Sequence, residues 1–587
     1  MSERVRVSRL SRGRRVLGHV RLAGALGIAA AILAIGLSVS EPPASAGAGP
    51  ARPNIVVIQS DDQTVDSMRF MDRTRSLVGE RGATFQNHYV NWPVCCPSRA
   101  TLLTGQYSHN HGVLGNSPPE GGFQAFDNDN TTALWLQARG YTTAHVGKFL
   151  NGYGSGEGAD VVPPGWDEWH TTDGAGQAVY NYPLNENGTL VSYGQEVADF
   201  KQDVFTERAV ELIDQHIGAA RPLYLQLDYT APHAGGPQPL PQPPADCQNS
   251  ARPAPRHATA FDSEPLPQDA SFNEADVSDK PPAIQELPLL DQAAIDNLTR
   301  RYRCRIESLL SIDDGVAAVI DALGDAGELG RTYVIYTSDN GFFTGEHRVA
   351  NGKTRVYEPS STVPLMVRGP GIPAGASVRD LTINADLAAT IVDVSGATPT
   401  LAIDGRSLLP AAQAPWVERG RELLIDTNQY EAVHTQRYVW VEHDTGEVEL
   451  YDLREDPFQL QSVHDDPGYT GVRNRLAERL DDLRTCAGAS CRRSPALRLV
   501  LRGKKGKNGC RRPPVRASFA GGDRGEIRRA QFFVGARTMK TDNRAPFEHR
   551  FRRRSLGKGR VLVRARAELA DGRRIGWERS LRVCRRR

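Results

Sequence analysis

Three clusters of side chains in this 587-residue chain are suited to reaction chemistry. Asp61-Asp62 closes the apolar run Asn54–Ser60, and Asp339-Asn340-Gly341 closes a second run, Tyr333–Ser338. Side-chain oxygens of this kind suit a hard divalent cation, Ca2+ or Mg2+. Taken singly, an acidic pair is more often a turn or a helix cap. The third cluster is Cys95-Cys96-Pro97-Ser98-Arg99, continued by Ala100 to Gly105. Pro97 is placed to open a helix, Ala100 to Leu103 to continue it and Gly105 to stop it. Cys95 then stands at the amino end, where backbone N–H groups and the helix dipole favour an anion. Arg99 falls near the same face, one turn on. A nucleophile, an anion-binding helix end and a guanidinium are therefore expected to converge.

The element that must position them is a sheet. A continuous β-branched run reads as a strand buried on both faces, as in a parallel sheet. Ligands of open α/β sheets gather outside the carboxyl ends of such strands. Two of these strands would bring Asp61, Asp62, Asp339 and Asn340 around one point. The overall composition, 39% hydrophobic and 24% charged, excludes collagen-like, fully disordered and polytopic membrane classes. The length calls for several domains, or for one large enzyme domain with additions.

The formal net charge of +2 hides a split. Cys491 to Arg587 holds 31 basic and 7 acidic residues, and the first 46 residues hold 7 and 2. The body between carries 33 basic and 60 acidic residues. At the amino end, seven arginines within Arg4–Arg21 precede the uncharged Leu22–Ser40 and the small-residue sequence Ala44-Ser45-Ala46. That order is an export signal over residues 1–46, by a general secretory or, through Arg14-Arg15, a twin-arginine route. A retained anchor is the alternative, since 19 uncharged residues just span a bilayer. Cysteine placement fits an oxidising compartment: Cys247 and Cys304, Cys486 and Cys491, and Cys510 and Cys584 are candidate pairs. Cys95 and Cys96 are left over.

The Cys95 stretch resembles the signature of the type I sulfatases, Cys-x-Pro-Ser-Arg followed by a Leu-Thr-Gly segment. The resemblance also covers Pro53-Asn54-Ile55 through Asp61-Asp62-Gln63, Thr104-Gly105 with His109-Asn110-His111-Gly112, and Gly147-Lys148. It continues through Ala231-Pro232-His233, Ser338 to Gly341, Gly352-Lys353 with Tyr357-Glu358, and Val363-Pro364-Leu365 with Arg368 to Gly371. Leu450 to Leu453 with Asp456-Pro457 look like the family's closing motif, so residues from about 50 to 470 are covered in order. The implied fold is α/β and alkaline-phosphatase-like: a mixed, mostly parallel sheet flanked by helices, with a smaller α+β C-terminal subdomain.

The resemblance also implies a mechanism. A separate formylglycine-generating enzyme would oxidise Cys95, not Cys96, to Cα-formylglycine. The aldehyde hydrates, one hydroxyl attacks sulfur, the alcohol leaves, and the second hydroxyl expels sulfate. A divalent cation, Ca2+ preferred and Mg2+ the alternative, would be held by Asp61, Asp62, Asp339, Asn340 and the residue at Cys95, and would polarise the sulfate. Arg99, Lys148 and Lys353 would surround the sulfate, and His233 would protonate the leaving oxygen with help from Lys353. One departure stands out. Many arylsulfatases have a histidine two residues after the first active-site lysine, where this chain has Leu150. Asn151 or His347 are the candidates to contact the diol or substrate in its place.

Several details look more like N-acetylglucosamine-6-sulfatases than simple arylsulfatases. They are the Cys-Cys-Pro-Ser-Arg form, Lys148 to Tyr153, Thr230 to His233, Tyr180-Asn181-Tyr182 with Leu184 to Gly188, and Asp203-Val204. The expected substrate is a sulfated amino sugar or glycan, with an aryl sulfate as the simpler option. A phosphate or phosphonate ester hydrolase, and an inactive polyanion- or glycan-binding surface protein, are the other readings.

The expected organisation is a catalytic domain over 50–398, its C-terminal subdomain over 399–485 and a basic module over 495–587. Pro237 to Pro282 reads as a long surface insertion near the substrate mouth. In the last module, alternating runs at Val515–Phe519, Ala530–Val534 and Arg560–Ala567, separated by turn residues, predict an all-β immunoglobulin-like sandwich. Arg564 and Arg566 share one face of it, expected to grip a polyanion. No base-reading motif is present, so no specific nucleic-acid binding is expected.

Overall fold

A computed structural model describes residues 52–154, 158–172, 178–235, 247 and 249–584. The export signal expected over residues 1–46 lies outside them. All seven residues of each strand that ends in an acidic pair, Asn54–Ser60 and Thr332–Ser338, are buried. They run parallel in register, Ser60 opposite Ser338. Leu223–Asp228 pairs with the other edge of Asn54–Ser60, Thr142–Lys148 with Leu223–Asp228, and Glu168–Thr172 with Thr142–Lys148, all parallel. Antiparallel strands flank this five-stranded centre: Leu365–Arg368 on one side, Tyr182–Glu186 and Thr189–Tyr193 on the other. The sheet reaches ten strands with Ala83–Phe85 and Ala376–Val378.

Two-residue alternation explains why both faces must be covered. Ile55 and Val57 enter one core, with Leu102 and Leu103 of helix Cys95–Thr104 and Leu387 and Ile391 of helix Ala385–Ser395. Val56 and Ile58 enter the opposite core, with Phe205 and Leu212 of helix Lys201–His216 and Leu309 and Ile312 of helix Gln292–Asp325. Fully burying such a side chain contributes roughly 1.5–3 kcal/mol, so the two layers hold the central strands firmly. Among the described residues, no helix is long and apolar enough to cross a membrane.

The expected antiparallel sheet and final helix follow. Leu423–Asp426, Tyr430–His434, Tyr438–His443 and Val448–Asp452 form a four-stranded meander covered by helix Thr470–Arg484. The last module is all-β. Arg511–Ala520 pairs with Arg498–Lys505 and Glu548–Phe551, while Arg574–Val583, Gly559–Leu569, Ile527–Val534 and Arg537–Asp542 lie side by side in that order, each antiparallel to its neighbour. One parallel bridge, Arg511 to Val583, joins the two sets. Val515, Ala517 and Phe519 of the first set share a core with Phe532, Val563 and Ala565 of the second. The three expected disulfides, Cys247–Cys304, Cys486–Cys491 and Cys510–Cys584, are present.

The polyanion face expected at Arg564 and Arg566 needs correction. Alternation does put both on one side, but that side is packed against the subdomain. Their guanidinium carbons lie 4.6 and 4.8 Å from the Trp416 ring centroid. Arg566 pairs with the buried Glu418 at 2.6 Å, and Arg564 with Glu578 at 2.7 Å. Flat guanidinium groups stack well on an indole and keep their in-plane donors for carboxylates, so these two arginines dock the module.

Close sheet packing also fixes one glycine. Gly147 has φ +112°, and a Cβ there would lie 2.0 Å from the Asp228 carbonyl oxygen in the adjacent strand. Gly147→Ala is expected to lose on the order of 3 kcal/mol or more, through backbone strain and a clash that cannot relax. Gly446→Ala, at φ +98° with open space, is the control that carries strain alone. Thermal unfolding of both variants tests this; equal small losses would contradict it.

Candidate active site

The register of the two acidic-ended strands builds the floor of the site. With Ser60 opposite Ser338, Asp61 emerges beside Asp339 and Asp62 beside Asn340. The Asp62 N–H donates to Asp339 Oδ1 at 3.1 Å, and Asn340 Nδ2 donates to Asp62 Oδ1 at 2.6 Å. Asp62 takes the left-handed conformation, φ +65°, which Asp tolerates better than most residues. The Asp61 N–H donates to the carbonyl of Ala231, drawing the Ala231-Pro232-His233 loop to the same point.

Helix Cys95–Thr104 supplies the centre. Val94 caps it in an extended conformation, Gly105 ends it at φ +71°, and all ten residues are buried. Asn116 Oδ1 accepts from the Cys96 N–H at 2.9 Å, satisfying one amino-terminal amide. Cys95 Sγ lies 3.5 Å from Asp61 Oδ1 and accepts from Lys353 Nζ at 2.8 Å. From the next turn, Arg99 donates through Nε to Asp339 Oδ2 at 2.8 Å and through Nη1 to the Lys148 carbonyl at 2.8 Å. Its Nη2 reaches Asp61 Oδ2 at 3.4 Å. Lys148, at the end of its strand, pairs with Asp61. Lys353 pairs with Asp62 and donates to Asn340 Oδ1 at 3.2 Å.

His233 stands at the rim, its Nε2 3.8 Å from Asp62 Oδ2. Its Nδ1 lies 3.0 Å from the Ala234 carbonyl, which fixes the proton on Nδ1 and leaves Nε2 facing the site. One ligand atom from each of Asp61, Asp62, Cys95 and His233 falls within a 4.8 Å cluster. Asp339, expected among the metal ligands, has both oxygens engaged, by Arg99 and by the Asp62 amide. The chemistry of the donor set, carboxylates and an amide oxygen buried together, fits a hard cation.

Neighbouring opposite charges outweigh burial at Asp61, Asp62 and Lys353. Burial alone would raise the Asp61 carboxyl, but Lys148, His233, Arg99 and Lys353 outweigh it and hold it well below the usual carboxylate range. Asp62 is held down in the same way, chiefly by Lys353 and His233. Asp339 moves the other way, raised by burial and by Asp61. Burial would lower Lys353, yet Asp62 more than reverses it and keeps the ammonium charged. Burial and the Asp61 charge push the Cys95 thiol up to about 12, so as a thiol it is neutral and a weak nucleophile.

His347 and Asn151, the candidates for contact with diol or substrate, are held by other partners. His347 is buried, with Nδ1 2.6 Å from Glu274 Oε2 and its ring 4.2 Å from that of Tyr357. It lines a separate cavity of about 460 Å³ beside Pro232 and Arg305, also bordered by Pro267, Asp269 and Ser271 of the long insertion. The Asn151 carbonyl accepts from the Phe123 N–H at 2.7 Å, and its side-chain oxygen is buried with no partner. No described contact joins either residue to Cys95.

Three supporting residues escaped the motif reading. Asp228 ends a third parallel strand, 3.7 Å from Arg99, and its Oδ2 accepts from Gln226 at 2.8 Å. His145 Nε2 lies 3.2 Å from the same oxygen. Arg305, from helix Gln292–Asp325, donates to the carbonyls of Asp62 and, at 2.9 Å, Pro232. Its guanidinium carbon lies 3.9 Å from the Phe342 ring centroid. Two of the three had a signal: Asp228 is another acidic strand end, and Arg305 interrupts the apolar stripe Leu298, Tyr302, Leu309, Ile312.

Comparison with known proteins agrees with this geometry. Residues 53–397 match the family described as sulfatase, and residues 345–486 match the N-sulphoglucosamine sulphohydrolase C-terminal family. A Caenorhabditis elegans protein, an extracellular sulfatase Sulf-1 homolog by name, is 36% identical over 363 residues, 61% of this chain. The chain spans about half of that relative's length, 48%. An N-acetylglucosamine-6-sulfatase of Capra hircus is 32% identical over 501 residues, covering 76% of this chain and 86% of the relative. A solved structure in complex with its substrate, D-glucosamine-2-N,6-O-disulfate, superposes with a TM-score of 0.62 at 22% identity. It covers 75% of this chain and 98% of that one, and supports the alkaline-phosphatase-like sulfatase fold.

Arg305 ties the Asp62 turn to the His233 loop without reaching the reacting centre. Arg305→Met is expected to weaken the binding of a divalent cation, measured by calorimetry with Ca2+ and Mg2+ as probes, about 10–100-fold while the circular dichroism spectrum stays unchanged. Unaltered affinity for both ions would show that the two loops hold their places alone.

Proposed function

The chain belongs to the sulfatase family of sulfuric ester hydrolases, and from that premise we propose that it is exported and hydrolyses a 6-sulfate ester of an amino sugar or glycan. The proposal includes conversion of Cys95 to Cα-formylglycine by a separate enzyme and binding of one Ca2+ ion. The observation that carries it is the convergence on Cys95, at a helix amino end, of Arg99, Lys148, Lys353 and His233 around the Asp61-Asp62 pair. When present, formylglycine supplies a hydroxyl nucleophile with a second hydroxyl to expel sulfate, and the cation supplies Lewis-acid polarisation of the sulfate oxygens.

Exposure separates the roles of the protein's own groups. Arg99 is 2% exposed and held by two carboxylates and a carbonyl, so it is a fixed donor preorganised for developing negative charge. Lys148, Lys353 and His233, with side chains 15%, 14% and 18% exposed, are the groups a substrate entering from solvent meets. The two ammonium groups bind and orient the sulfate. As an imidazolium, with its Nδ1–H held by the Ala234 carbonyl, His233 delivers the proton on Nε2 to the leaving alcohol oxygen, with Lys353 as the neighbouring donor.

The 6-sulfated amino sugar is favoured by the Capra hircus relative's name and by the ligand of the superposed structure. Export is favoured by the amino-terminal signal and by the extracellular naming of the Caenorhabditis elegans relative. We read residues 50–398 as the catalytic domain, 399–485 as its subdomain and 495–587 as an immunoglobulin-like module. The split of the last module into three and four strands supports that label.

Peptide mass spectrometry across Cys95 in the active protein is expected to show the aldehyde, and Cys95→Ser to lose roughly 10³-fold or more in kcat. N-acetylglucosamine 6-sulfate is expected to outrun nitrophenyl sulfate, and both to outrun nitrophenyl phosphate. An unmodified thiol in active protein would sink the formylglycine reading. Phosphate turnover faster than sulfate by about tenfold, a 1.4 kcal/mol preference, would move the chain to phosphate chemistry.

A further inference from the structure

Away from Cys95, two adjoining cavities lie in the seam between the all-β module and the rest of the chain. The larger, about 440 Å³, is lined by Arg379, Glu418, His434, Gln436, Arg566 and Arg574 among others. The smaller, about 130 Å³, is lined by Arg454, Arg529, Arg566 and Arg574 with Gln531 and Glu568. Arg566 and Arg574 border both.

Five buried polar atoms on these walls have no hydrogen-bond partner: Arg529 Nε, Arg566 Nε, Gln436 Nε2, His434 Nδ1 and Glu418 Oε2. Two of them belong to side chains that are almost wholly enclosed, Glu418 at 3% and His434 at 2%. Buried polar groups are nearly always satisfied, so these five call for partners that the protein itself does not supply. Three of the five are groups that can only donate, two guanidinium nitrogens and an amide nitrogen. The surplus of donors selects a ligand made of acceptors.

Charge gives the same answer. Glu568 is consumed by Arg437 and Arg454, with Arg574 close by, and Glu418 by Arg566. Among the described residues no carboxylate forms an ion pair with the exposed Arg379 or with Arg529, so two guanidinium groups at the cavities keep their donors for an anion. A guanidinium fork matches a tetrahedral oxyanion bidentately, which an ammonium cannot do. The larger cavity falls within the roughly 300–1,000 Å³ of small-ligand sites and exceeds what a bare ion needs. Glu358 and Pro457 border it and also the cavity beside Pro232 and Arg305, so the seam adjoins the flank of the active site.

We propose that this seam is a second anion site, which holds a sulfate group through Arg379, Arg529 and Arg574. Its ligand is either the sulfate of a saccharide chain or the free sulfate ion. The site is separate from Cys95 and is read out by binding, so its failure leaves the proposed catalysis untouched.

The test uses the full chain carrying Cys95→Ala, which prevents turnover, titrated calorimetrically with a heparin-derived hexasaccharide and, separately, with sodium sulfate. The hexasaccharide is expected to show two binding events, and addition of Arg379→Gln and Arg529→Gln to weaken one of them at least about tenfold. Sulfate binding that the same substitutions abolish would identify the free ion as a sufficient ligand. Binding of the hexasaccharide alone would identify the glycan-borne group. Arg529 holds no ion pair among the described residues, so Arg529→Gln alone, checked by thermal unfolding, guards against a folding artefact. In the otherwise native enzyme, the double variant is expected to keep nitrophenyl sulfate turnover while its KM for the hexasaccharide rises. Parental affinity and stoichiometry for both probes in the double variant would overturn the proposal.

Discussion

Three carboxylates, Asp61, Asp62 and Asp339, are buried together at the ends of two parallel strands, and the catalytic half of the molecule is arranged around that fact. Two like charges 4 Å apart repel by about 4 kcal/mol even at an effective dielectric of 20. Such a group survives in a folded protein only if positive charge arrives from elsewhere. Arg99 comes from helix Cys95–Thr104, Lys148 from the end of a parallel strand and Lys353 from the loop beyond Asn340. Arg305 arrives from the long helix on the opposite face and meets the same turn through its carbonyl. Four separate segments must therefore be held to within hydrogen-bond distance of one point, and a wide sheet covered on both faces is what holds them. The same cations that keep the carboxylates ionised are the groups that would meet a sulfate. Stability and anion recognition thus rest on one set of side chains.

Much of this is legible in the amino-acid order alone. Buried strands show as unbroken β-branched runs, and Asp61-Asp62 and Asp339-Asn340, directly after two such runs, mark the ends of two neighbouring strands. The Cys95 helix carries its own stop in Gly105, while Pro97, expected to open it, lies in its first turn, two residues inside the start at Cys95. What stays illegible depends on which chain segments meet. Asp228 ends the run Leu-Tyr-Leu-Gln-Leu-Asp, but nothing local says that Arg99 lies 3.7 Å away. Arg305 bonds two carbonyls whose positions exist only in the folded chain. His347 looks chemical because it follows a matched motif, yet Glu274, from the long insertion, claims it. For Arg564 and Arg566 the alternation holds but the solvent side does not, because the covering indole belongs to Trp416, in a different part of the chain.

The division of charge along the chain acquires a structural meaning in the same way. An acidic body and a basic module attract, and part of that attraction is spent where they touch, Arg566 on Glu418 and Arg573 on Glu422, while Arg437 and Arg454 of the body neutralise Glu568 of the module. Partly buried pairs of this kind fix orientation more than they add stability. The arginines left over at the seam are what remains after docking is satisfied.

The depth of Cys95 has a consequence in time. Its side chain is wholly enclosed, at the start of a helix whose ten residues are all buried, beneath a lysine that bonds its sulfur. No second macromolecule can reach that sulfur once the helix has packed. On the reading that Cys95 is converted to an aldehyde, the conversion has to occur while the segment is still extended, ahead of the collapse of the sheet around it. A chain that folds first keeps its thiol for life. The fraction of competent molecules is then set by a race during biosynthesis, and conditions that hasten folding lower the yield of active protein without changing one atom of its sequence.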